Sequence, residues 1–172
     1  MVEFAVLTGH LNRRSRPGAI ARTLAAELRA GGAEVTEIAA GALPHSALMA
    51  QDHRHPEVVR TQRALTCADA VAVITPRYEP HGSAPLRSWL AMLPPDALAG
   101  KPVLPIGLGA VRSHSTGLGG GLGEGTVLPA TFLYDDWFAE DHDWRPNPRA
   151  TDLLRRAATT LTTSALPDSA AA

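Results

Sequence analysis

Ser15 stands among Arg13, Arg14 and Arg16 in a loop that begins at Gly9 and runs into Pro17, Gly18 and Ala19. A hydroxyl, several guanidinium groups and the first backbone amides of a helix together suit a phosphate. Those amides point outward at the positive end of the helix dipole. The run lacks the Lys-Ser/Thr pair of a Walker loop and is not Gly-x-Gly-x-x-Gly. A solvated basic loop has the same composition. A second loop covers Pro76, Arg77, Tyr78, Glu79, Pro80, His81, Gly82 and Ser83. A flat ring needs an aromatic wall and an edge of backbone amides; Tyr78 offers the first and residues 77 to 79 the second. The plainer reading is a half-buried surface tyrosine and a Glu79 paired with an arginine. A third loop, from Gly107 through Gly109, Ala110 and Arg112 to His114, has glycines that let backbone approach a ligand closely, or that only turn the chain.

Other groups offer less. His45, His53 and His55 have only Asp52 and Glu57 nearby in sequence, so exposed loop histidines are expected and no metal is assigned. Asp135, Asp136, Glu140, Asp141 and Asp143 lie beside Trp137, Phe138 and Trp144. Paired carboxylates can do acid–base work, but no partner base follows, and the run reads as a solvated rim or a subunit contact. Cys67 is the only cysteine, which excludes an internal disulfide and a cysteine zinc cluster. Its apolar neighbours predict a buried thiol with no activating base. No side chain is assigned a catalytic role.

These loops need elements to hold them. Val2 to Thr8 reads as a short buried strand. Ile20, Leu24 and Leu28 fall at helical spacing, giving a helix over 18–30 that ends at Gly31-Gly32. Val35 to Ile38 is a second strand, and 41–56 a long loop. A helix starts at Pro56, and the continuous apolar run 69–75 is a strand buried on both faces. A helix over 83–93, a strand over 101–107, a fifth strand over 127–134 and a helix over 151–163 complete the chain. Strands alternate with helices at βαβ spacing, so the fold class is α/β with helices on both faces of a parallel sheet; five strands favour a flavodoxin-like three-layer sandwich with a five-stranded parallel sheet over the six-stranded dinucleotide fold. The three loops then converge at the carboxyl ends of the first, third and fourth strands, where open α/β sheets bind ligands. Between the fourth and fifth strands, residues 115–125 hold six glycines, each costing roughly 1 kcal/mol in a helix relative to alanine. A loop or a mobile turn is expected there.

The chain resembles the NADPH-dependent FMN reductases of the flavodoxin-like superfamily, and is most similar to the reductases that serve alkanesulfonate-type monooxygenases. The resemblance runs from Phe4 to about Leu161. It rests on Thr75-Pro76-x-Tyr78 with Ser83, Leu86 and Arg87, then Leu90, Leu93-Pro94, Leu98 and Gly100-Lys101-Pro102-Val103. His114 matches a histidine of the sulfonate-type members. It implies FMN as cofactor or substrate and NADPH or NADH as hydride donor. The implied cofactor-binding residues are Ser15, Arg16, Pro17, Gly18, Ala19, Pro76, Arg77, Tyr78, Glu79, Ser83, Gly109, Ala110 and His114. It also implies a flavin-dependent monooxygenase as partner and a homodimer or homotetramer, since the family completes its site across subunits.

The sequence departs from the family where flavin is held. Pro17, Gly18 and Ala19 replace a Ser/Thr repeat, Ala84 replaces a glycine, His81 a serine, and Leu108-Gly109-Ala110 a Thr-Gly-Gly turn. Two or three lost hydroxyl bonds to phosphate, at about 1.5–3 kcal/mol each, predict a loosely held flavin. The alternative is a fold-retaining member that no longer reduces flavin and binds a partner protein or another small molecule. The 172 residues read as one domain over 1–164 with a flexible tail over 165–172. A net charge of -1 gives no general pull to nucleic acid or to an anionic membrane. No apolar run has the length of a membrane span, and the first residues read as a strand rather than a signal peptide, so a soluble cytoplasmic protein is expected.

Overall fold

A computed structural model describes residues 1–10, 14–76, 83–111, 122, 124–140 and 143–166. Its strands are β1 (Glu3–Thr8), β2 (Glu34–Ala39), β3 (Ala70–Pro76), β4 (Pro102–Gly109), β5 (Thr126–Val127) and β6 (Thr131–Tyr134). Its helices are α1 (Arg16–Ala30), α2 (His45–Met49), α3 (Pro56–Cys67), α4 (Ala84–Leu90) and α5 (Pro148–Ala165). All strand pairs are parallel, in the order β2-β1-β3-β4-β5 with β6 also on β4. This is the flavodoxin-like order.

Alternation along the strands divides the core between the sheet's two faces. Phe4, Val6, Ala72, Ile74, Leu104 and Ile106 pack against Ile20 and Leu24 of α1 and Leu154 and Leu161 of α5. Ala5, Leu7, Val71, Val73 and Val103 pack on the other face against Val58 and Leu65 of α3 and Leu86 and Trp89 of α4. A strand covered on both sides must be apolar at successive positions, as β3 is. The fully buried Trp89 donates its Nε1–H to Thr61 Oγ1 at 3.0 Å, joining α4 to α3.

Several boundaries differ from the sequence reading. The expected fifth strand is two pieces. The amides of Thr126 and Leu128 donate to the carbonyls of Lys101 and Val103, each at 2.8 Å, so alternate residues of β4 face this strand. The next such position is Pro105, which has no N–H, and Pro129 lies opposite this stretch. From Val103–Val127 to Ile106–Thr131 the partner strand gains one residue, a bulge. The long loop over 41–56 is preceded and entered by a 3-10 turn, Ala40–Ala42, and contains the short helix α2, whose Ala47 and Leu48 are buried. Helix α1 starts at Arg16, ahead of Gly18, because Ser15 caps it and Pro17 suits the first turn. Helix α5 starts at Pro148 because Asn147 Oδ1 accepts from the Ala150 amide at 2.9 Å. Helix α4 ends at Leu90, before the expected Leu93.

Cys67 is exposed rather than buried: as the last residue of α3 it faces solvent despite its apolar neighbours. Of 115–125, only Leu122, Glu124 and Gly125 are among the described residues, and so is none of 167–172. No helix among the described residues is long and apolar enough to cross a membrane.

Lys101 closes the carboxyl end of α3. Its Nζ donates to the carbonyls of Leu65 at 3.2 Å and Ala68 at 2.8 Å, and to that of Thr66. A cation is favoured there by the helix dipole. Burial lowers its pKa from the usual lysine value, against the opposing influence of Cys67 and Asp69. Gly100, at φ +71°, makes the left-handed turn that delivers it.

Candidate functional site at the carboxyl edge of the sheet

Register fixes which loops share an edge. Thr8 lies beside Ile74, Pro76 beside Leu108, and Gly109 beside Tyr134. The loops leaving β1, β3 and β4 therefore emerge side by side, joined by the chain that leaves β6.

The first loop is anchored by Ser15, the N-cap of α1. Its Oγ accepts from the Gly18 amide at 3.2 Å, and its carbonyl accepts from the Ala19 amide at 2.8 Å. Pro17 carries no N–H. Two of the amides expected to serve a phosphate are thus already engaged, and Pro17, Gly18 and Ala19 are buried. Arg16 opens the helix beside these amides. Arg16 Nε is buried without a hydrogen-bond partner, and an unpaired buried donor at the start of a helix suits an anion.

Pro76 ends β3 on this edge, and Arg77, Tyr78 and Glu79 lie outside the described residues. Ser83 stands where that loop rejoins the fold. It caps α4, accepting from the Leu86 amide at 3.5 Å, and its Oγ donates to the Gly9 carbonyl at 3.2 Å. A Cβ on Gly9 would lie 2.1 Å from Ser83 Oγ and 2.6 Å from Ser83 Cβ, so only glycine allows this approach. Ser83 therefore ties the first loop to the second. Gly109 is buried at the end of β4, and Ala110 follows it, exposed; His114 lies outside the described residues.

The sequence reading missed Trp144. After β6 the chain forms a 3-10 turn, Asp135–Trp137, and then doubles back. Phe138 bridges Pro146 in antiparallel fashion, Ala139 N–H donates to Arg145 O at 3.0 Å, and Asn147 N–H donates to Trp137 O at 2.8 Å. Arg22 Nη2 of α1 donates to Asp143 O at 2.9 Å. Trp144 adopts φ +52°, a left-handed conformation that costs a non-glycine residue about 1–3 kcal/mol. Its ring lies 4.1 Å from the Arg16 guanidinium carbon. The only sequence signal was a tryptophan beside an acidic run, which fits a rim equally well.

Among the described residues, no cluster of three His, Cys, Asp or Glu is placed to hold a metal ion. His55 instead caps α3, Nδ1 accepting from the Glu57 amide at 3.3 Å. A cavity of about 30 Å³ touches Thr8, His10, Gly18 and Arg22 at the site. A larger groove of about 450 Å³, bordered by Ile38, Leu43, Glu57 and Arg60, runs between β2 and α3, and none of the expected site residues borders it.

The family model described as NADPH-dependent FMN reductase matches residues 2–120. An FMN reductase (NADPH) of Pseudomonas putida is 33% identical over 106 residues, which cover 62% of this chain and 54% of that protein. The match thus spans about half the length of this relative. A solved apo NADH:FMN oxidoreductase superposes with a TM-score of 0.83 at 23% identity, over 99% of this chain and 92% of its own. An oxidoreductase from Corynebacterium diphtheriae gives 0.75 at 20% identity, over 95% and 96%. At these identities the two structures are alike in fold.

Proposed function

Because the chain belongs to the NADPH-dependent FMN reductase family, we propose that it is an NAD(P)H:FMN oxidoreductase that supplies reduced flavin to a monooxygenase. FMN, when bound, supplies the redox chemistry by accepting a hydride from the nicotinamide. The chain's own work is to bind and orient. Arg16, with Ser15 at the same helix start, holds the phosphate; the resemblance assigns the segment from Pro76 to Glu79 to the ring, and Gly109-Ala110 lets backbone come close to it. Ser83 supports both loops from beneath. No side chain needs to donate or remove a proton at the reacting atoms.

The observation that carries this reading is Arg16, whose buried Nε has no protein partner at the edge where the three loops meet. The Gly18 and Ala19 amides, engaged by Ser15, are withdrawn from a phosphate, which supports FMN as an exchangeable substrate, held at about micromolar affinity or weaker. The monooxygenase, a homodimeric or homotetrameric state, a cytoplasmic location and a functional unit over 1–164 rest on the resemblance of the Thr75-Pro76-x-Tyr78 segment and its surroundings. The same engaged amides favour one other reading, a fold-retaining binding protein without reductase activity. Following NADPH and NADH oxidation with increasing FMN separates the two: FMN-dependent turnover supports the reductase, and oxidation indifferent to FMN supports the other.

A further inference from the structure

We infer that Trp144 is the positioning residue for Arg16, and that the pair sets the preference for phosphorylated flavin over its dephosphorylated form. This rests on the proposed flavin site.

An arginine that must meet a phosphate gains from being held before the ligand arrives, because ordering a long side chain on binding is costly. Trp144 supplies such a hold. Its ring faces the guanidinium at 4.1 Å, within cation–π range. Stacking uses the face of the guanidinium and leaves its N–H edge free for hydrogen bonds. Trp144 is itself fixed from three directions. The antiparallel pairing of Phe138 with Pro146 holds the returning chain, and Ala139 N–H binds Arg145 O. Arg22 holds the carbonyl of the preceding residue, Asp143, from the same helix that begins with Arg16. The backbone of Trp144 is held at φ +52°, which an aromatic residue rarely adopts unless its surroundings impose it. Strain of this kind collects where a side chain must be aimed. The partnerless, buried Arg16 Nε fits a ligand as the missing acceptor. The segment after β6 thereby contributes to a phosphate subsite that it does not itself touch.

The test compares FMN with riboflavin, which has the ring but no phosphate. Dissociation constants of both are measured by flavin fluorescence for the unaltered protein, Trp144→Leu, Trp144→Phe, Arg16→Gln and the Arg16→Gln/Trp144→Leu double variant. Trp144→Leu is expected to weaken FMN about tenfold, equivalent to about 1.4 kcal/mol, and to leave riboflavin unchanged. Trp144→Phe, which keeps an aromatic face, should stay within about threefold. In the Arg16→Gln background, Trp144→Leu should have no further effect on FMN. Equal weakening of both ligands, an unchanged ratio, or full additivity with Arg16→Gln overturns the inference while the flavin site stands. If Trp144→Leu does not fold, Trp144→Asn, whose side chain tolerates φ +52° and has no aromatic face, takes its place with the same expected and overturning results. If the unaltered protein does not distinguish FMN from riboflavin, the phosphate role of Arg16 falls, and the inference with it.

Discussion

Lys101 shows how a residue that looks like part of a ligand signature can instead be architecture. It belongs to the Gly100-Lys101-Pro102-Val103 segment that carries the family resemblance, yet its ammonium spends its hydrogen bonds on the last carbonyls of α3. Lys101→Met should cost on the order of 1.5 kcal/mol, the lower end for bonds to a charged group, because the site is partly open to water. Thermal melting should register that loss while FMN affinity is unchanged; a variant with native stability and weakened flavin binding would place Lys101 in the site instead. Ser83 and Gly9 form a second such pair. Gly9→Ala puts a methyl 2.1 Å from Ser83 Oγ, and overpacking of this kind costs about 1–3 kcal/mol. In a Ser83→Gly background the same substitution should cost measurably less in denaturant melts. Equal costs in both backgrounds would show that the two residues are not in contact. Neither partnership was legible in the sequence, because both join residues far apart in the chain.

Elements were more legible than their ends. The apolar runs of β1, β3 and β4 and the helical spacing of Ile20, Leu24 and Leu28 reflect burial, which composition records directly. Boundaries depend on single polar contacts. Asn147 starts α5 earlier than its apolar stripe suggested, and Asn147→Ala should lower stability by about 1 kcal/mol, with Asn147→Asp retaining most of it. A circular-dichroism melt unchanged by the alanine would mean that Pro148 alone sets the start. The broken fifth strand was readable in principle from Pro105 and Pro129. The shift in register that joins them to one bulge appears only when β4 and its partner are set side by side. Helix α2 escaped notice because five residues are too few to show a period.

At the scale of the molecule, the parallel sheet followed from the alternation of strand and helix; the count of five strands favoured the flavodoxin-like order, and pairing across the sheet fixes it. The parts of the site contributed from far along the chain did not follow from that alternation. Trp144 reaches Arg16 across more than half the sequence through the turn after β6, and nothing local announces that contact. The account's central claim is that this edge binds FMN for reduction by a nicotinamide nucleotide. Steady-state oxidation of NADPH and of NADH, followed by loss of the reduced nicotinamide's absorbance as FMN is raised, tests it most directly. The account predicts a rate that depends on FMN and saturates at about micromolar concentration or above, where binding is worth about -8 kcal/mol or less in magnitude. A rate that stays at its FMN-free value with both nucleotides across that range would contradict it.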